Sequence, residues 1–183
     1  MTGFTPVDPA TATGPAAEVL AETKKAMGST PNMAKVMAIN PAVLKGYLAL
    51  SGALGGGVLP PAVRERLAIA TAEYNRCEYC LSAHTFIGGR VAKLDDAELA
   101  LARDGKSGDQ HAAALLALSD AIMRGRGTVD DAVLEAARGA GVSDAEIAEV
   151  IAHIALNVLT NYFNILTGVD NDFPVVTPHA HAA

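Results

Sequence analysis

Cysteine occurs twice in the chain, as Cys77 and Cys80, and His84 follows four residues after the second. On a helix, positions i, i+3 and i+7 share one face, so both sulfurs and the imidazole are expected to point the same way. The thiolate is the reactive form of cysteine, and with a pKa near 8.5 only about 3% of a thiol is ionised at pH 7. A helix N-terminus and a neighbouring histidine each lower that pKa, and a drop of about two units raises the thiolate fraction roughly twentyfold. His84 is placed to take or hold the Cys80 proton. Residues three apart on a helix also fall within the roughly 4.4–6.8 Å Cα separation that a disulfide spans, so Cys77 can close on Cys80 after oxidation. This is a redox dithiol in outline. Two other readings stand beside it: a metal site in which Cys77, Cys80 and His84 supply three ligands and Glu65 or water the fourth, and a pair of inert buried cysteines.

Which carboxylate serves His84 depends on whether the helix is continuous. In one straight helix from Pro61 to Arg90, Glu65 would lie about 18 Å along the axis from Cys77, and Glu73, at i−4, would be the partner. If the chain folds back near Asn75, Glu65 and His84 lie at matching distances on either side of the turn and come opposite one another. Asparagine tolerates the left-handed conformation that ends a helix, and a break there leaves the cysteines at the start of the next helix. The fold-back is the expectation. Taken alone, Glu65 in Arg64-Glu65-Arg66 would read as a solvated charge, and Glu73 and Glu78 as surface carboxylates. Tyr74 and Tyr79 read as packing residues with hydroxyls that reach a polar partner or line the site.

The elements that must carry these residues are helices. Half of the 183 residues are hydrophobic, aromatics make up 4% and tryptophan is absent, a balance that favours close-packed helices over sheets. The fold class expected is all-α, as a single domain over residues 1–183. Pro15 opens a first helix ending at Gly28, Thr30-Pro31 a short second ending near Asn40, and Asn40-Pro41 a third that stops at Gly55-Gly56-Gly57. Pro60-Pro61 launches Val63 to Tyr74. Asp95 with Glu98 and Ser143 with Glu146 have capping-box spacing, and between them lie helices from about Asp109 to Arg124 and Val129 to Arg138.

The last helix, from about Asp144 to Leu166, carries a broad apolar face that includes Ile151, Val158, Leu159, Tyr162 and Ile165. Its width predicts burial against both its own bundle and a second subunit. The tail from about Asp172 is extended by Pro174 and Pro178, and either docks on a partner chain or frays. His111 and His153 read as structural, and His179 and His181 as adventitious metal binders at most. Leu54-Gly55-Gly56-Gly57-Val58 lacks the ending of a phosphate loop and reads as a helix connection.

The net charge of −6 and the absence of basic clusters speak against a nucleic-acid partner. The first twenty residues lack the pattern of a secretory signal, and no membrane span is expected, which predicts a cytoplasmic protein. In a reducing cytosol a lone CxxC is catalytic or metal-binding more often than a structural staple. A thioredoxin-type fold is not legible, since no βαβ pattern flanks the cysteines.

Arg64-Glu65, Cys77-Glu78-Tyr79-Cys80 and His84 together resemble the Glu, CxxC and His signature of the carboxymuconolactone decarboxylase superfamily in its AhpD-like alkylhydroperoxidase branch. The likeness spans about residues 60–90. Asn157-Val158-Leu159-Thr160-Asn161-Tyr162-Phe163-Asn164 and Asp172-Phe173-Pro174 are also similar to members of this group. The resemblance implies an oligomeric AhpD-like helical bundle in which Glu65 and His84 relay a proton from Cys80. It implies that Cys80 attacks an organic hydroperoxide or hydrogen peroxide, becomes a sulfenic acid and is resolved by Cys77. No organic cofactor is implied. With no third cysteine, the Cys77–Cys80 disulfide needs an external dithiol: a lipoyl group, a thioredoxin-like protein or a small thiol. One departure stands out, because the residue before Cys80, a relay histidine in some members, is Tyr79 here. Decarboxylases of the same superfamily offer an alternative chemistry, proton transfer on a lactone acid without CxxC. A non-catalytic redox-sensing or zinc-binding module is the other alternative.

Overall fold

A computed structural model describes residues 4–180, so His181 lies outside the described residues. Those residues form nine α-helices and no strand: α1 (Gly14–Met27), α2 (Asn32–Met37), α3 (Pro41–Gly55), α4 (Pro61–Asn75), α5 (Glu78–Arg90), α6 (Asp96–Arg103), α7 (Gln110–Arg124), α8 (Asp131–Gly139) and α9 (Asp144–Thr167). The starts follow the local chemistry. Asn40 accepts a hydrogen bond from Ala42 N–H to cap α3, and Pro61 fits the first turn of α4, where no intrahelical N–H is needed. Ser143 and Glu146 complete both bonds of a capping box on α9. At α6 only half of the expected box forms. Asp95 accepts from Glu98 N–H, but the Glu98 carboxylate is taken by Arg66, Ser107 and Gly108.

Helix α4 is the axis of the molecule, packed on α5, α6, α7 and α9. Nearly every residue from Arg66 to Glu73 is buried, so the helix lacks a solvent face and its apolar residues serve two cores. Ile69 and Ala72 join one with Val19, Leu20, Met37, Leu44 and Leu81 of α1, α2, α3 and α5. Leu67 and Ala70 join the other with Leu115, Leu116 and Leu118 of α7 and Val150 of α9. Each fully buried leucine contributes roughly 1.5–3 kcal/mol relative to exposure.

The two buried charges of α4, Arg66 and Glu73, lie two turns apart on one face and both pair with α6. Arg66 meets Glu98 at 2.7 Å and Glu73 meets Arg103 at 2.7 Å. Glu73 is therefore not the surface carboxylate its sequence context suggests. It is 6% exposed and its charge is offset by Arg103, a residue too distant in sequence to be paired with it by periodicity. It also accepts a hydrogen bond from His179 N–H.

Over the described residues the extended tail is bonded to its own chain. Asn171 donates to Ser82 Oγ, Val176 N–H donates to the same oxygen, and Thr177 Oγ1 donates to exposed Glu78. Phe173 packs edge-on against Tyr79. The extended segment is thus strapped across the first turns of α5.

Helix α9 is long and apolar enough by length and composition to cross a membrane, with mean hydropathy 1.3 over its best window. In the fold it packs against α3, α4, α5 and α7 and buries Asn157, Thr160, Asn161 and Asn164 on that side. Ile151, Leu159, Tyr162, Ile165 and Leu166 stay exposed on the other.

Candidate active site

The site begins where α4 stops. Arg76 adopts the left-handed conformation (φ 60°, ψ 35°) and the Cys77 N–H reaches back to the Ala72 carbonyl, the longer closing bond of a Schellman motif. The chain folds back one residue later than Asn75, which remains the last helical residue of α4. A non-glycine residue in this conformation costs on the order of 1 kcal/mol. The turn nonetheless sets up the next helix: Cys77 sits at the N-cap of α5, in the place usually taken by serine or aspartate, and its Sγ accepts the Cys80 N–H at 3.3 Å. Cys77 accordingly lies outside the helix. The shared-face expectation holds for Cys80 and His84 on α5, whereas Cys77 approaches Cys80 through the cap.

Folding α5 antiparallel to α4 brings Glu65 opposite His84, with Oε2 2.9 Å from Nδ1. Burial disfavours the charged imidazole, but the Glu65 carboxylate, through its charge and hydrogen bond, more than compensates, and the His84 pKa is raised. Binding Nδ1 to the carboxylate leaves Nε2 free to exchange a proton.

The two sulfurs differ. Both are free thiols, 1% and 3% exposed for Cys77 and Cys80. The Cys80 thiol is brought down to about 7, first by a hydrogen bond from Cys77, against burial, and further by the Asn164 amide, the His84 charge and the Asn161 amide. Hydrogen bonding to Cys80 and burial push the Cys77 thiol up. Of the pair, Cys80 is the sulfur that ionises, while Cys77 keeps its proton and donates it toward its neighbour.

The asparagines are not among the site residues the sequence singles out. Asn164 Nδ2 lies 3.2 Å from Cys80 Sγ and 3.3 Å from Met33 Sδ. Asn161 Oδ1 accepts from Asn75 Nδ2 at 2.9 Å, which ties α9 to the end of α4. Their signal was a polar stripe, Asn157, Thr160, Asn161 and Asn164, at helical spacing within an otherwise apolar helix.

A cavity of about 220 Å³ opens beside His84 and Glu65, lined also by Tyr47, Ser51, His153 and Asn157. His153, read from sequence as structural, is on this wall, with Nε2 3.5 Å from Glu149; burial lowers its pKa and keeps it neutral. His111 is remote from the site and pairs with Glu146 at 2.7 Å between α7 and α9. Glu149 receives the Val58 and Leu59 N–H groups, and a Cβ at Gly57 would meet that carboxylate and displace it. Among the described residues no group of three or more His, Cys, Asp and Glu side chains is arranged to hold a metal.

Tyr79 faces away from the proton pair. Its hydroxyl donates to Asp172 Oδ2 at 2.7 Å, and the same carboxylate oxygen accepts Asn32 N–H at 2.8 Å. Burial and the adjacent carboxylate raise the Tyr79 pKa, so it stays protonated. Asp172 thereby clasps α2, with Met33 against the sulfur site, onto α5. Asp172→Ala removes charge-assisted bonds worth about 1.5–3 kcal/mol each. Alkylation of the buried thiols by iodoacetamide should then accelerate at least several-fold in the folded protein; an unchanged rate would mean that the clasp does not control access.

Residues 41–107 match the Carboxymuconolactone decarboxylase family. No curated protein matches the sequence. Among solved structures the chain is similar to an uncharacterized peroxidase-related protein with an alkylhydroperoxidase AhpD core from Ralstonia eutropha JMP134 (TM-score 0.78, 23% identity, 92% of each chain covered). It is similar to a peroxidase-related protein from Silicibacter sp. TM1040 (TM-score 0.73, 21% identity, 92% of each chain). It is also similar to the debrominase Bmp8 (TM-score 0.78, 19% identity, 94% of this chain and 93% of that one). At these identities the likeness lies in the fold, which is that of the AhpD core.

Proposed function

We propose that the chain, whose residues 41–107 match the Carboxymuconolactone decarboxylase family and whose fold is that of the AhpD core, is a thiol-dependent hydroperoxide reductase. The supporting observation is the asymmetry of the dithiol. Cys80 faces the Asn164 amide and shares its helix with the Glu65-bound His84, while Cys77 is committed to the N-cap.

The Cys80 thiolate attacks the outer peroxide oxygen; an S–O bond forms, the O–O bond breaks, and the departing alkoxide takes the proton that His84 carries on Nε2. Glu65 stabilises the imidazolium before transfer and orients the ring. Cys77 then attacks the Cys80 sulfenic acid, its proton leaves with the expelled hydroxide as water, and the disulfide forms. The peroxide has gained two electrons and the cysteine pair has lost two. An external dithiol, lipoyl, thioredoxin-like or a small thiol, restores the pair by exchange. The natural compartment for such a cycle is the cytoplasm.

The test is consumption of cumene hydroperoxide at the expense of dihydrolipoamide in stoichiometric amounts. A protein that is oxidised once and never turns over would be a sensor, and one that releases carbon dioxide from a lactone acid would be a decarboxylase.

We further propose that the exposed α9 face (Ile151, Leu159, Tyr162, Ile165 and Leu166) is covered by a second copy of the chain. Light scattering at micromolar concentration should give a mass at least twice the monomer's 18.7 kDa. Tyr162→Glu should return it toward the monomer value, and a monomeric wild-type protein would remove the assignment.

A further inference from the structure

Two polar atoms on the asparagines that support the attacking sulfur close no aligned hydrogen bond although both are buried. One is a donor, Asn161 Nδ2, which favours the Cys80 thiolate but closes no well-aligned hydrogen bond to it, and the other is an acceptor, Asn164 Oδ1. Both belong to α9 residues three positions apart, 0% and 3% exposed. Their orientations are set by the other end of each amide. Asn161 Oδ1 is engaged by Asn75 Nδ2, which turns its NH₂ group inward, and Asn164 Nδ2 is engaged by Cys80 Sγ and Met33 Sδ, which leaves its carbonyl oxygen open. Buried polar groups are nearly always satisfied, so an unclosed donor and an unclosed acceptor on the two asparagines that support Cys80 call for a species not present in the resting state.

That species is supplied by the chemistry of Cys80. A thiolate needs only donors. A sulfenic acid, S–OH, brings an oxygen that accepts and a hydrogen that donates, and it is the form in which Cys80 waits for Cys77. We propose that Asn161 and Asn164 form an amide cradle for the Cys80 sulfenic acid, Asn161 Nδ2 donating to its oxygen and Asn164 Oδ1 accepting its hydrogen. In the resting protein Asn164 Nδ2 holds the thiolate. The proposal rests on the peroxide-reduction reading, in which ROOH, the Cys80 thiolate and one proton give ROH and Cys80–SOH. The cradle adds no atom to that balance. By occupying both polar ends of S–OH it shields the sulfur from a second peroxide, whose attack would carry it to the sulfinic acid.

The test uses the Cys77→Ser protein, in which the sulfenic acid cannot be resolved internally. Hydrogen peroxide is added in excess over the protein, and intact-mass spectrometry with and without dimedone follows the sulfenic and sulfinic forms over time. With the cradle intact the sulfenic form should persist. Adding Asn161→Leu should shorten its lifetime at least tenfold in favour of the sulfinic acid. Asn75→Ala, which removes only the bond that orients Asn161 from the partly exposed end of α4, should act in the same direction and is the safeguard against a misfolded Leu variant. Equal lifetimes in the Asn75→Ala and parent proteins, both folded by circular dichroism, would overturn the cradle. Absence of any dimedone adduct in the parent Cys77→Ser protein would overturn the cradle together with peroxide reduction. In a separate arm without peroxide, the pH dependence of iodoacetamide alkylation in Asn164→Leu should move to higher pH, with alkylation at pH 6 slowed about tenfold. An unmoved profile would remove Asn164 from the thiolate's support.

Discussion

Cys80→Ser should reduce hydroperoxide turnover to that of the dithiol reductant alone. Serine replaces one side-chain atom at a buried position, a change small enough to leave the fold intact, so the loss reports on chemistry. The alkoxide of serine is inaccessible at pH 7, and no other thiol is activated: with the Cys80 sulfur gone, burial still pushes the Cys77 thiol up. Cys77→Ser should behave differently, retaining one reductive event per chain and failing to cycle. An enzyme that worked by proton transfer on a lactone acid would keep its activity in both variants.

The second large effect is expected at His84. His84→Gln should lower kcat/KM by about 10²–10⁴ at pH 7, the usual contribution of a positioned proton donor. The pH profile makes the prediction specific. Attack needs the Cys80 thiolate, so the rate is lost as pH falls through about 7. Departure of the alkoxide needs the His84 proton, so the rate also falls as pH rises past the His84 pKa, which Glu65 holds above the ordinary histidine value. The wild-type profile is therefore a bell. In His84→Gln the alkaline limb disappears, and the acid limb moves to higher pH because the imidazolium no longer favours the thiolate. Glu65→Gln keeps a hydrogen-bonding group but not the charge, and the alkaline limb should move to lower pH. A bell unchanged in both variants would separate His84 from the reaction.

Much of the fold can be read from local chemistry because its signals are local. Pro15, Asn40, Pro61 and Ser143 mark helix starts by what they do to their own first turns, and Gly28 marks an end by its φ of 76°. The fold-back between α4 and α5, and with it the juxtaposition of Glu65 and His84, follows from a distance argument within thirty residues. It is displaced by one position because Arg76, not Asn75, takes the left-handed conformation. The remainder depends on pairings that periodicity does not encode. Glu73 looks like a surface residue until Arg103 is brought to it by α6. Asp172 lies in a segment without regular structure, so its bonds to Tyr79 and Asn32 exist only through the tertiary fold. The α9 asparagines are visible as a polar stripe, but which sulfur they face is set by the packing of α9 on α5.

The central claim is that Cys80, and not Cys77, is the sulfur that peroxide oxidises, and that the pair then closes on itself. Free thiols counted before and after one equivalent of organic hydroperoxide, in the wild-type protein and in each Cys→Ser variant, test it most directly. The wild-type should lose two thiols per chain in a single rapid step, Cys77→Ser should lose its one thiol as fast, and Cys80→Ser should lose none on that timescale. Rapid loss of the thiol in Cys80→Ser, or two thiols surviving in the wild-type, would contradict the account.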